Sequence, residues 1–109
     1  SVKEFLDLFD RRGSCNVGYF LPHAAIRVEA MGWEARLPTE AELSRMRALA
    51  REAMRDGAFG FSTGLTYPPG IYSDTEELVS VCEAIQDLGG IYLTHARYSL
   101  GDRLLDPFG

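Results

Sequence analysis

Three short apolar runs, each ending in polar residues and separated by helical patterns, constrain this chain more than any other feature. The second run leads into Gly60-Phe61-Ser62-Thr63-Gly64-Leu65-Thr66-Tyr67-Pro68-Pro69-Gly70, and the third is Ile91-Tyr92-Leu93-Thr94-His95-Ala96-Arg97. Strands alternating with helices at this rhythm specify a parallel sheet with right-handed crossovers, an α/β fold. In such sheets, residues at the C-terminal strand ends face the ligand. Tyr67, His95 and Arg97 are therefore expected on one rim.

Val2, Phe5, Leu6 and Phe9 repeat at helical spacing and predict a first helix that stops at Gly13. Residues 16–21 read as the first strand, with His23 and Arg27 just beyond it. Residues 28–38 read as a loop or a short helical excursion. Thr39 and Glu42 form a capping box. Behind it Leu43, Met46, Leu49, Ala50, Ala53 and Met54 make the buried stripe of a second helix ended by Gly57. Residues 58–63 form the second strand, whose glycine suits close approach of another backbone. Tyr67-Pro68-Pro69-Gly70 is a stiff, turn-rich loop. Ser73 to Glu76 is a second capping-box pattern; Leu78, Val81, Cys82 and Ile85 face the core. Gly89-Gly90 ends that helix, and residues 91–94 form the third strand. The expected order is α-β-α-β-α-β.

The chain has 109 residues, 46% of them hydrophobic, which is one domain's worth or part of a larger one. A net charge of −5 with no basic stripe argues against nucleic acid and against an anionic membrane surface. No run reaches the ~18 apolar residues of a membrane-spanning helix, and the first residues lack the order of a signal peptide. Cytoplasm is the default expectation. Cys15 and Cys82 make neither a disulfide framework nor a metal knuckle, and Cys82 reads as a buried apolar group. The helical opening and the Leu105-Asp106-Pro107-Phe108-Gly109 ending suggest an internal segment of a longer protein.

His95, at a strand end, has a lone pair that a rigid backbone can aim at a first-row metal. One histidine does not make a metal site, and a hydrogen-bonded structural histidine is the competing reading, for His23 as well. Arg97 can pair with a substrate carboxylate in bidentate fashion or form a salt bridge between elements. Tyr67 can donate its hydroxyl to an oxyanion or carboxylate, or pack on the prolines. Phosphate-binding glycine motifs are absent. Gly60-Phe61-Ser62-Thr63-Gly64 only approaches the G-x-S-x-G elbow, and G-x-x-x-G is not in an apolar context. That near match leaves a serine-nucleophile hydrolase open.

The run Gly57 to Gly70, the helix start Ser73-Asp74-Thr75-Glu76-Glu77-Leu78 and Thr94-His95-Ala96-Arg97 resemble the D-aminoacylase family. These are N-acyl-D-amino-acid deacylases of the amidohydrolase superfamily. Asn16-Val17-Gly18-Tyr19-Phe20-Leu21-Pro22-His23-Ala24-Ala25-Ile26-Arg27 is similar to that family's N-V-x-x-L-x-G-H-x-x-x-R run. The resemblance implies a zinc-dependent (β/α)8 TIM barrel, of which residues 1–109 would supply about three βα units of the catalytic domain. It implies His95 as a zinc ligand and Tyr67 as a residue contacting a small N-acyl amino acid. Arg97 matches the arginine of the T-H-x-R motif and is taken as substrate-binding. Pro22 departs from the family's usual glycine, and Tyr98-Ser99-Leu100 from its usual acidic residue, which opens the substrate subclass. The family's H-x-H pair, ligand cysteine, second ligand histidine and catalytic aspartate are expected outside residues 1–109, and Cys15 does not match that cysteine. The segment alone is expected to be inactive. The alternative is a non-catalytic α/β fragment or an interaction module that associates with itself through open sheet edges.

Overall fold

The computed structural model describes residues 1–13 and 15–95. Its elements run α1 (Val2–Asp7), β1 (Phe20–Pro22), α2 (His23–Met31), α3 (Glu40–Arg55), β2 (Gly60–Gly64), a 3-10 turn (Gly70–Tyr72), α4 (Thr75–Gln86) and β3 (Ile91–His95). The three strands are parallel in the order β1-β2-β3, with Leu21 opposite Phe61 and Gly64 opposite His95. An α/β architecture with parallel strands is thus borne out.

The α3 start follows the sequence. Thr39 accepts from the Glu42 amide, Glu42 returns a bond to the Thr39 amide, and Arg36 braces Glu42 with two bonds of 2.8 and 2.7 Å. Hydrogen bonds from Arg36 and from the Thr39 backbone hold the Glu42 carboxyl down to about 2. Met46, Ala50 and Ala53 carry the buried stripe of α3. They meet Val81 and Ile85 of α4 and Phe61 of β2, the latter fully buried. Arg47 reaches Ser80 at 2.7 Å, while Arg51 grips the Ala84 carbonyl and Asp87, so the two crossover helices are clamped along their length. Cys82 packs against this core, as its place on the apolar stripe implies.

Several boundaries differ from expectation: the first helix ends at Asp7, short of Gly13, and β2 begins at Gly60 rather than Ala58. The first strand begins at Phe20 rather than Asn16, because residues 16–19 pair only through the Phe59 amide to the Tyr19 carbonyl. Residues 23–31 form a full helix, so the order is α-β-α-α-β-α-β. Its inward face is His23, Ile26, Arg27 and Met31. That is helical spacing, but two of the four are polar, which hides the stripe from a search for apolar periodicity. The α4 N-cap is Asp74, whose carboxylate accepts from the Glu77 amide at 2.9 Å, and not Ser73. Ser73 is buried in polar contacts instead.

Gly60 permits the β2–β3 pairing: a Cβ there would lie 1.8 Å from the Ile91 carbonyl oxygen. The two faces of the sheet differ. Leu21, Phe61 and Thr63 face the helices, and Thr63 bonds the hydroxyls of Tyr92 and Thr94. Strand alternation turns Phe20, Ser62, Gly64, Ile91, Leu93 and His95 to the opposite face. On it Ile91 and Leu93 are 58% and 55% exposed.

Candidate functional site

His95 is the last residue of β3, on the face away from the helices, and its register partner is Gly64. Tyr67 follows β2 by three residues. Its ring crosses back over the strand end: a Cβ built on Gly64 would meet Tyr67 Cε2 at 3.1 Å. Gly64 and His95 are paired and project to the same side. Tyr67 and His95 therefore lie at the C-terminal ends of neighbouring strands, on the side of the sheet to which Gly64 projects, a strand-end ledge. Tyr67 is 57% exposed, an aromatic turned to solvent at the C-terminal sheet edge. Arg97 lies outside the described residues.

The loop that carries Tyr67 is tightly built. The Ile71 amide donates to the Tyr67 carbonyl at 3.0 Å, Tyr72 to Pro69 at 3.2 Å and Ser73 to Gly70 at 3.1 Å. Gly70 lies so close to the β2 end that a Cβ would sit 2.4 Å from the Gly64 oxygen. Two prolines restrict the remaining torsions.

Behind the ledge lies a feature that apolar periodicity does not find. His23, Arg27, Ser73 and Glu77 form a buried polar cluster joining the starts of α2 and α4. Glu77 Oε1 accepts from His23 Nε2 at 2.7 Å and from the Ser73 hydroxyl at 3.3 Å; its Oε2 accepts from Arg27 Nη1 at 2.5 Å. Arg27 Nη2 donates to the backbone carbonyls of Arg36 and Glu34, tying in the α2–α3 connection. An ionised carboxylate only accepts, so the bond assigns the hydrogen to His23 Nε2. Burial pushes the Glu77 carboxyl up, but bonds from His23 and Arg27 outweigh it and leave the group below the usual glutamate value. Among the described residues, His23 Nδ1 and Arg27 Nε have no hydrogen-bond partner. Of the two readings open for His23, the structure favours the hydrogen-bonded one, since Nε2 is engaged by Glu77. The i, i+4 spacing of His23 and Arg27 is the sequence signal for this cluster.

Among the described residues, no group of three or more His, Cys, Asp or Glu side chains is placed to hold a metal ion. None of the described helices is long and apolar enough to cross a membrane.

A parallel α/β sheet with polar residues collected at its strand ends defines the class: a strand-end site carried on βα units. Relatives make it specific. The chain is 44% identical over 84 residues to the D-aminoacylase of Alcaligenes xylosoxydans xylosoxydans, covering 77% of this chain and 16% of that protein. It is 41% identical over 91 residues to the N-acyl-D-aspartate deacylase of the same organism, covering 83% and 18%. Among solved structures, it overlays the N-acyl-D-glutamate deacylase of Bordetella bronchiseptica, complexed with zinc and a phosphonate mimic of the tetrahedral intermediate. The TM-score is 0.82 and the identity 31%, covering 90% of this chain and 21% of that one. No family model matches the chain. Sequence and fold agree, and the chain belongs to the D-aminoacylase family of amidohydrolases. It spans less than a fifth of the length of these two curated relatives.

Proposed function

We propose that residues 1–109 are part of the catalytic (β/α)8 barrel of a zinc-dependent enzyme that removes the acyl group from N-acyl-D-amino acids. The observation that carries this reading is the shared ledge of Tyr67 and His95, in a chain whose relatives are deacylases of such substrates. His95 suits a metal: it is a single imidazole ending a rigid strand on the face the helices leave uncovered. One histidine is one ligand, so further ligands would come from elsewhere in the enzyme. Bound zinc would supply a Lewis acid and lower the pKa of coordinated water to about 7.

This chain's residues have narrower tasks. His95 fixes the position of the reacting amide relative to the sheet. The Tyr67 hydroxyl donates a hydrogen bond to the substrate carboxylate or carbonyl oxygen from a loop with little freedom to move. Arg97 takes the substrate carboxylate as a bidentate partner. The acidic side chain of an N-acyl-D-aspartate or N-acyl-D-glutamate is among the candidates for this substrate class.

The test uses the zinc-loaded enzyme that carries this segment, assayed on N-acetyl-D-leucine, N-acetyl-D-aspartate and N-acetyl-D-glutamate with their L-enantiomers. Release of acetate from D-substrates only, together with a loss of bound zinc in His95→Ala, is expected. Wild-type zinc content in His95→Ala would remove that residue from the ligand set.

A further inference from the structure

We propose that Glu77, clamped by His23 and Arg27, positions Tyr67 for substrate, an inference that rests on the substrate-contacting role assigned to Tyr67. None of the three is expected to touch substrate. The argument is mechanical and follows the hydrogen bonds. The segment from Leu65 to Ser73 is a nearly rigid body: its carbonyls at Tyr67, Pro69 and Gly70 are each bonded within it, and prolines occupy 68 and 69. A rigid body is aimed by its two ends. One end is β2, where Gly70 seats against the Gly64 carbonyl. The other is Ser73, buried and bonded to Glu77.

Glu77 is in turn held in three directions. Its amide donates to Asp74, and its two carboxylate oxygens take His23 and Arg27 from α2. The far end of the Tyr67 loop is thus anchored to α2, the helix that grows directly out of β1. Two neighbouring strand ends are locked together through one carboxylate. A buried ion pair is a poor source of net stability, because desolvation offsets its attraction, whereas apolar residues would pack there at lower cost. A task that needs direction rather than energy fits such a group better. Removing the Glu77 charge leaves Arg27 Nη1 facing a neutral amide and frees the N-terminus of α4 to shift, and Tyr67 shifts with it.

The experiment is a double-mutant cycle in the zinc-loaded full-length enzyme, with KM and kcat measured on N-acetyl-D-amino acids. Tyr67→Phe and Glu77→Gln are each expected to lower kcat/KM about tenfold, mainly through KM, with zinc content unchanged. The double variant is expected to be no worse than the more impaired single, because a misplaced ring has already lost its hydroxyl contact. Effects that multiply, or a Glu77→Gln enzyme with wild-type KM, would overturn the inference and leave the role of Tyr67 standing. Wild-type kinetics for Tyr67→Phe would remove that role and the inference with it. If Glu77→Gln does not fold, Ser73→Ala, which deletes one hydroxyl and keeps the ion pair, is read in the same cycle with the same outcomes.

Discussion

The Glu77 carboxylate joins His23, Arg27 and Ser73, and its energetics are those of a buried charge. Its side chain and that of Arg27 are fully buried. Truncating one partner strands the other charge in the interior, so Glu77→Ala is expected to cost about 3–5 kcal/mol, read as a shift in the urea midpoint. A loss under about 1 kcal/mol would mean that water or a neighbouring group already solvates Arg27. The same residue sets a pH dependence. Its folded pKa lies below the unfolded value of about 4.3, so its contribution is complete above that pH and is lost as pH falls through the lower folded value. The urea midpoint should therefore decline as pH falls below about 4.3, and less steeply in Glu77→Gln. Glu42 shifts in the same direction, yet it is a half-buried brace at a helix start paired with an exposed Arg36, and its loss is expected to be minor.

At the scale of elements, the α3–α4 pair and β2 carry the core. Met46 is the centre of that contact, with no exposed surface. Met46→Ala is expected to lose about 2–5 kcal/mol with the fold retained, measured as a fall in Tm with an unchanged circular dichroism spectrum. This half of the molecule was legible in the sequence because, Glu77 apart, its helices bury apolar residues: the stripe from Leu43 to Met54 and that from Leu78 to Ile85 stand out at period 3.6. The strand ends were legible for a related reason, since short apolar runs stop where polar residues begin. Helix α2 was not. Burying His23 and Arg27 breaks apolar periodicity, and the partner that makes their burial tolerable, Glu77, is 50 residues further on from Arg27. No local pattern signals so distant a pair. For the same reason the sequence showed Ser73 as a cap: a hydroxyl before an acidic turn reads that way until the cluster claims it and the cap passes to Asp74.

The whole molecule raises a question of completeness that the sheet itself poses. Among the described residues, β3 pairs only with β2, so its outer row of amides and carbonyls is unpaired by strand. Ile91, Tyr92 and Leu93 on that strand are all more than 40% exposed. A flat apolar edge of this kind is a template for further pairing. In a closed barrel the next strand would occupy it, and the face holding Phe20, Leu93 and His95 would turn to the interior. Among the described residues neither protection is present. A polypeptide of residues 1–109 made alone is expected to self-associate through β3, eluting from size exclusion as species larger than the 12.1 kDa monomer whose proportion rises with concentration. Ile91→Lys, a charge on the exposed strand, should shift that distribution toward monomer, whereas Leu88→Lys, placed beyond α4, should not. A monomer stable to concentration would show that the edge is covered from within these 109 residues, and the partial-barrel reading of the isolated segment would fail. Association would also crowd His95, which ends the strand that pairs. The metal-binding role proposed for His95 therefore requires the sheet to be continued by its own chain and not by a second copy.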